Sequence, residues 1–244
     1  DNVEFLRTSR RTWLQERVSR CTTDPSYLNC FPLSWSISPH PRFFAPDWLY
    51  WFYNQSYLTG HDYFVLPPSG DLYSYPSEMP DDIQANYVSN TERDCHLLST
   101  SGTVEWEWFG HWKNTFDKYF PRYEENGICT GFFTVNVPFN VPVGQFRPGE
   151  YYKLVGKNVV VFRPREWRGC DETSAVPLSR RQYLSVEHQA EVLGSLPPGS
   201  ITYIYMTSDG GGNLDMIYDL VKTLDEHVEV VSTDALIDLA LQRG

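Results

Sequence analysis

The sequence lacks a long apolar run and is poor in positive charge. None of the apolar stretches in its 244 residues approaches the ~18–20 residues that a membrane-spanning helix needs, so we expect no membrane span. Lys and Arg number 20 against 31 Asp and Glu, and the net charge is −11. A field of this sign repels phosphate backbones, which argues against a nucleic-acid partner. Neutral and cationic ligands remain compatible with it.

The sequence also lacks the short motifs that mark metal, phosphate and nucleophile sites. No CxxC pair and no HExxH motif occurs among its five cysteines and six histidines, so the spacing predicts no zinc site. A P-loop and a G-x-S-x-G elbow are absent as well. We therefore predict neither a metal nor a cofactor.

Two of the cysteines predict a disulfide. Cys21 and Cys30 bracket the polar loop TTDPSYLN, which is the kind of loop that a disulfide closes in an oxidising compartment. The alternative is five reduced, mostly buried thiols, as in a cytosolic protein. Asn54 begins the N-glycosylation sequon Asn-Gln-Ser, which also favours an extracellular or secretory location. The odd cysteine count leaves either a partner elsewhere in the polypeptide or a free thiol.

The order of apolar stretches predicts an α/β fold. Short candidate strands lie at 33–37, 62–66, 104–108, 128–135, 158–162, 201–206 and 228–231. Candidate helices lie near 3–20, 46–58, 80–98, 111–121, 183–195, 213–226 and 233–242. This alternation predicts a mostly parallel sheet, and we expect a (β/α) barrel-like domain of seven or eight strands. An open doubly wound sheet is the alternative.

The start of the sequence predicts that one strand of the expected barrel lies outside residues 1–244. The opening helix should follow a first strand that lies upstream of Asp1, so we expect residues 1–244 to form one domain within a longer polypeptide. Additional domains of the same polypeptide are therefore possible partners.

A turn-rich loop follows the strand that ends at Leu66. Gly70 permits a turn that other residues resist, and Asp71 follows it. Tyr73 and Tyr75 offer two flat rings with hydroxyl groups, which suits stacking on a sugar ring. We take Asp71, Tyr73 and Tyr75 as candidate substrate-binding residues. The alternative is a structural turn whose tyrosines plug the mouth of a barrel.

This loop resembles the signature of a known family. The stretch PSGDLYSYP is similar to the signature of the GxGYxYP proteins, a putative glycoside hydrolase family. Further resemblance lies in Asp1-Asn2, as the end of an SDGDN motif, and in PRFFAPDWLYWFY, HDYFVLPPSG, LVGKNVVVFRPREW and HVEVVSTDALIDLALQ. Leu72 stands where the second glycine of the motif belongs, so the turn must avoid a conformation that only glycine adopts easily. The resemblance implies a carbohydrate-active domain, and it supplies no catalytic residue.

Candidate catalytic carboxylates follow the predicted strands. In Val-Glu-Trp-Glu-Trp at 104–108, period-two alternation places both glutamates on one face. Glu107 is nearer the strand end, and we pair it with a carboxylate from another strand, namely Asp1, Asp209 or Glu166. Such a pair could share acid and base roles in glycoside hydrolysis. The alternative is a pair of solvated or hydrogen-bonded glutamates.

Three further residues are candidates for the rim of a sugar site. Arg163 and Trp167 follow a predicted strand and could hold and stack a glycan, or else form an ion pair and a packed aromatic. His111 directly follows the EWEWFG segment. The loop at 207–213 contains three glycines before a helix, and we interpret it as a flexible turn with Asn213 as the N-cap.

Two functions therefore compete. The first is an extracellular carbohydrate-active domain that hydrolyses a glycan by paired carboxylates. The second is a non-catalytic glycan-binding or structural module of an extracellular assembly.

Overall fold

The computed structural model describes most of the chain as an α/β protein. The described residues are 10–108, 110–123, 127–135, 144–163, 185–206 and 213–244, with the backbone of 165–166. The helices are α1 (Arg11–Thr23), α2 (Pro41–Phe44), α3 (Pro46–Thr59), α4 (Asp81–Leu98), α5 (Trp112–Asn114), α6 (Val186–Gly194), α7 (Leu214–Thr223) and α8 (Thr233–Arg243). A π-helical segment (Thr115–Tyr119) and a 3-10 turn (Phe120–Tyr123) continue α5, and another 3-10 turn (Pro76–Glu78) precedes α4.

The strands are short, and the largest sheet that they form is mixed. They are β1 (Leu33–Ser36), β2 (Asp62–Val65), β3 (Gly102–Glu105), β4 (Gly131–Thr134), β5 (Tyr152–Val155), β6 (Val159–Phe162), β7 (Arg165–Glu166) and β8 (Ile204–Tyr205). One sheet has the order β1-β2, the next β3-β4-β6-β5, and β7 pairs with β8. A parallel bridge between Leu66 and Thr103 links the first two sheets.

The expected (β/α) barrel of seven or eight mostly parallel strands is wrong. Instead, β5 and β6 form an antiparallel hairpin, which turns at Gly156 with φ 63°. Because β6 pairs with β4 on one edge and with β5 on the other, it has no edge left for a further parallel strand. The described strands therefore form no closed ring. Residues 228–231, predicted as a strand, lie outside the strands as well.

The two faces of the sheet bury different clusters. Strand residues alternate in direction, so Val104 packs with Val65, Phe133 and Ile237 on the face that α8 covers. The opposite face packs against α1, α3, α4 and α7 through side chains such as Leu14, Phe52, Tyr87 and Tyr218. Thr103 and Glu105 point to this second face, which makes it unusually polar at its centre.

The structure also contains a disulfide and an exposed glycosylation sequon. Cys21 and Cys30 form a disulfide with an S–S distance of 2.03 Å, which closes the loop after α1. No helix among the described residues is long and apolar enough to cross a membrane. Asn54 lies exposed on α3.

Candidate functional site

The stretch PSGDLYSYP, residues 68–76, is called the signature loop. It follows β2 and lies against the carboxyl end of β3. The hydroxyl of Ser69 is 2.8 Å from the carbonyl oxygen of Trp106 and 2.9 Å from that of Ser74. It also accepts a hydrogen bond from the Trp106 backbone N–H at 3.1 Å. Because Ser69 is fully buried, these contacts fix the loop to the strand end.

Helix α4 holds the same loop from the other side. The Tyr87 hydroxyl donates to the carbonyl of Leu72, and the Asp71 backbone N–H donates to Thr91 Oγ1 at 3.1 Å. Tyr87 and Thr91 are four residues apart and therefore share a helix face. Gly70 has φ 116°, and a Cβ there would lie 2.6 Å from the Thr91 side chain, so this position requires glycine.

Leu72 adopts an ordinary backbone conformation. Among the described non-glycine residues, Ser99 is the one with positive φ. The turn therefore avoids the region that glycine would favour, as the departure from the motif requires. The Leu72 side chain is 52% exposed and extends the apolar surface beside Tyr73.

Asp71 belongs to a buried polar cluster beneath the loop. It is 6% exposed, and the His40 ring lies 2.6 Å from its carbonyl and 3.5 Å from its carboxylate. Asp94, which pairs with Arg42 at 2.9 Å, is its other neighbour. Burial raises the pKa of Asp94 above its ordinary value, and a hydrogen bond with Asp71 raises it further, whereas Arg42 acts in the opposite direction. Asp71 thus contributes to anchoring the loop.

The tyrosines of the loop pair with two tryptophans that follow β3. Tyr73 packs edge-on against Trp106 with ring centroids 5.0 Å apart, and Tyr75 against Trp108 at 6.4 Å. We call these four residues the aromatic shelf. Tyr73 is 57% and Trp108 41% exposed, so the shelf presents ring surface to solvent. Burial of the remainder, together with the neighbouring Tyr75, raises the pKa of Tyr73 to about 12.

Glu107 is fully buried directly below the shelf. One carboxylate oxygen accepts from the Trp108 backbone N–H at 2.8 Å. The other accepts from the Ser77 backbone N–H at 2.9 Å and from the Thr115 hydroxyl at 3.2 Å. Glu107 therefore joins β3, the end of the signature loop and the π-helical segment.

Glu105 is fully buried too, but neither of its carboxyl oxygens has a hydrogen-bond partner in the described part of the chain. Burial raises the pKa of Glu105 well above its ordinary value, and the neighbouring Glu107 raises it further, while Ser69 acts in the opposite direction. The effects of burial and of Glu107 both favour the protonated form of Glu105. β3 ends at Glu105, so Glu107 lies beyond the strand, which was predicted to span 104–108 and to carry both glutamates on one face.

His111 lies close to the shelf. Its Nδ1 contacts a carboxylate oxygen of Glu78, and Glu78 belongs to the turn that directly follows the signature loop. Both residues line an open depression of about 520 Å³, together with Lys113, Asn114 and Asp117. His111 therefore lies on the wall of this depression, and its role at the rim of a sugar site stays a prediction.

Of the remaining candidates, the structure describes the side chain of Arg163 alone. Arg163 follows β6, which is two strand positions from β3, or about 10 Å. Asp1, Trp167, Asp209 and the side chain of Glu166 lie outside the described residues, as does the glycine-rich part of the loop at 207–213. No three His, Cys, Asp or Glu side chains in the described ranges are arranged to hold a metal.

Several residues of the site were missed from the sequence. Trp106 and Trp108 were not among the candidate site residues, although their ring contacts with the loop make them half of the shelf. Tyr87 and Thr91 were not singled out. Their four-residue spacing on an amphipathic helix was the available signal, but it does not reveal which loop the helix face meets.

The fold and the site together define an α/β domain with an exposed aromatic surface at the carboxyl end of a strand. The family model of the GxGYxYP putative glycoside hydrolase C-terminal domain matches residues 11–142, which is more than half of the chain. The chain therefore belongs to this family, as the signature loop predicted.

A solved structure shows a related fold. The crystal structure of a putative hydrolase from Bacteroides thetaiotaomicron VPI-5482 superimposes with a TM-score of 0.68 at 21% sequence identity. The match covers 87% of this chain and 39% of that chain, so this chain spans about two fifths of the length of that protein. No curated protein matches the chain.

Proposed function

We propose that this chain is a carbohydrate-active domain that binds a sugar on the aromatic shelf. The observation that carries this proposal is the pair of exposed ring contacts, Tyr73 with Trp106 and Tyr75 with Trp108, on a loop anchored from two sides. Aromatic faces pack on the apolar face of a sugar ring, and tyrosine hydroxyls can bind its hydroxyl groups. Membership of a putative glycoside hydrolase family supports carbohydrate as the ligand class.

Titration of neutral oligosaccharides by calorimetry tests the shelf. Trp108→Ala and Tyr73→Ala should each weaken binding about tenfold, which is ~1.4 kcal/mol and the scale of one aromatic contact. Tyr57→Ala is the matched control, because Tyr57 is an exposed tyrosine of α3. Equal affinities in all four proteins would refute the shelf as the binding surface.

For the reaction, we propose hydrolysis by paired carboxylates, with Glu107 and one of Asp1, Asp209 or Glu166 as acid and base. Glu107 supports this by its place at the carboxyl end of β3 beside the shelf. Glycosidases place their two carboxyl groups roughly 5–10 Å apart, across the scissile bond. Each of the three possible partners stays a prediction.

A specific observation favours the second candidate, a non-catalytic glycan-binding module. Glu107 is fully buried and accepts three hydrogen bonds, which suits an anchor. The variant Glu107→Gln distinguishes a catalytic role of Glu107 from a structural one. The substitution places an amide donor against another donor, so either role predicts a stability loss of about 1–3 kcal/mol. A catalytic acid also predicts loss of turnover in the protein that stays folded, whereas an anchor predicts unchanged turnover per folded molecule. Wild-type protein without any turnover would favour the binding module.

We also propose an extracellular location for the domain. The Cys21–Cys30 disulfide is typical of oxidising compartments, and the Asn54 sequon lies at an exposed position. Both features support secretion independently of the sugar site.

A further inference from the structure

The C-terminal half of α4 is tied to the segment before β4 beside a pair of cysteines. Glu92 Oε2 accepts hydrogen bonds from the backbone N–H groups of Ile128 at 2.8 Å and Cys129 at 3.2 Å. Cys95 follows Glu92 by three residues and therefore lies on the same helix face. This first tether places Cys129 beside the turn of α4 that carries Cys95.

A second tether lies on the other side of the pair. The Thr100 backbone N–H donates to the carbonyl of Cys95 at 3.0 Å, which closes the end of α4. The carbonyl of the next residue, Ser101, accepts from the backbone N–H groups of Thr130 and Gly131, both at 2.9 Å. The Glu92 side chain on one side and these backbone contacts on the other thus hold the two cysteine positions together.

The two cysteines lie in the same part of the core. Both cysteines are fully buried and belong to one apolar cluster. Burial raises the pKa of the Cys129 thiol well above its ordinary value, and a hydrogen-bond contact with the Cys95 thiol raises it further.

We propose that Cys95 and Cys129 are a second disulfide site, which is oxidised while the chain folds in an oxidising compartment. The Cys21–Cys30 disulfide supports such a compartment, and the two tethers supply the proximity. The bond would join α4, which holds the signature loop, to the segment directly before β4. This inference does not depend on the sugar site.

The chemistry is thiol–disulfide exchange with a small disulfide of the glutathione type. One cysteine loses its proton and attacks the oxidant, which releases one reduced thiol and leaves a mixed disulfide. The second cysteine loses its proton and displaces the other half of the oxidant. The protein S–S bond forms, the oxidant S–S bond breaks, and two reduced thiols carry away two electrons and two protons.

Burial places this step before the end of folding. A buried thiol with a raised pKa forms little thiolate, and the thiolate is the attacking species. Fully folded, reduced protein should therefore exchange slowly, whereas a chain still closing around the two tethers exchanges quickly.

The test is peptide mapping of the chain refolded from the reduced, denatured state in a glutathione redox buffer. After an acid quench, the protein is unfolded without reductant, alkylated and digested. We expect no alkylation at Cys95 or Cys129 and a linked peptide lighter by two hydrogen atoms than its two reduced halves. Prior reduction should restore alkylation at both positions.

Cysteine variants test whether the Cys95–Cys129 bond forms independently of the Cys21–Cys30 disulfide. Cys95→Ser should leave Cys129 alkylated, whereas Cys21→Ser, the matched control, should leave the Cys95–Cys129 peptide linked. Alkylation of both Cys95 and Cys129 in unreduced wild-type protein would overturn the proposal. A bond from either of them to Cys170 would overturn it too.

Discussion

Glu105 shows how the position of one side chain sets its protonation. It ends β3 on the face that α4 covers, is fully buried, and lacks a hydrogen-bond partner within the described residues. An ionised carboxylate is costly at such a site, and burial therefore raises the pKa of Glu105 well above its ordinary value. Its surroundings include the hydroxyl-bearing rings of Tyr87, Tyr119 and Tyr123, whose pKa values rise by burial and by the nearby Glu105.

The raised pKa of Glu105 predicts a pH-dependent stability. Between the unfolded pKa of about 4.3 and the higher folded pKa, the unfolded chain loses a proton that the folded chain keeps. The unfolded state is favoured as the pH rises through this window, so Glu105 makes the fold less stable at higher pH. Glu105→Gln is neutral in both states and should abolish this contribution.

The measurement is urea unfolding of both proteins from pH 4 to pH 8. The unfolding free energy of Glu105→Gln minus that of wild type should increase with pH, by up to ~1.4 kcal/mol per unit inside the window. Glu78→Gln is the control, because the Glu78 side chain is 56% exposed. A difference that stays flat across the range would contradict a buried, neutral Glu105.

At the scale of elements, α4 acts as the support of the signature loop. One face of this helix carries Tyr87, Thr91 and Asp94. Tyr87 contacts Leu72 of the loop, whereas Thr91 and Asp94 both contact Asp71. The loop in turn holds the tyrosines of the aromatic shelf. Changes inside this helix should therefore alter sugar binding without touching the sugar.

Tyr87→Phe tests this coupling. The substitution removes the hydroxyl that donates to Leu72 and should destabilise the fold by about 0.5–1.5 kcal/mol. It should also weaken oligosaccharide binding severalfold, because the shelf loses its fixed geometry. Tyr53→Phe removes a similar hydroxyl bond, to the carbonyl of Leu98, away from the loop. Calorimetry should show an affinity loss for Tyr87→Phe alone, and equal losses in both variants would contradict the coupling.

Most elements could be predicted from the sequence, because their signals are local. The helices predicted at 46–58, 80–98 and 233–242 match α3, α4 and α8 within two residues, since each combines apolar periodicity with clear ends. The hairpin of β5 and β6 was missed because its first strand is half-buried and lacks an apolar run. Of the aromatic shelf, the sequence predicted the two tyrosines but not the two tryptophans, since the order of residues does not reveal which rings come into contact.

At the scale of the whole molecule, the number of predicted strands could not tell whether the sheet closes into a barrel. A run of alternating strands and helices is compatible with a barrel and with an open sheet, and the edge pairing decides between them. Here the edge is taken by β5, which a turn at Gly156 brings back against β6. The long-range polar contacts could not be predicted from local patterns either, since they join residues up to 203 positions apart.

A buried ion pair ties distant parts of this open arrangement together. Arg17 of α1 lies 3.1 Å from the Asp62 carboxylate of β2, and both side chains are fully buried. Asp62 also accepts from the Trp35 indole at 2.7 Å. Arg17 donates to the Tyr218 hydroxyl of α7 at 3.1 Å and to the Phe31 carbonyl at 2.6 Å. The ion pair and its hydrogen bonds thus link α1 and α7 to β2.

Removing one partner should affect the whole fold. Asp62→Asn leaves the Arg17 guanidinium buried without its countercharge, so we expect a loss of about 3–5 kcal/mol in unfolding free energy. The control is Asp215→Asn, which removes the partner of Arg20 at 2.6 Å from a side chain that is 73% exposed. That change should cost at most about 1 kcal/mol, and added salt should reduce the cost further. Urea unfolding followed by tryptophan fluorescence and by circular dichroism measures both variants. If Asp62→Asn lost no more stability than the control, the pair would not be what joins α1, the sheet and α7.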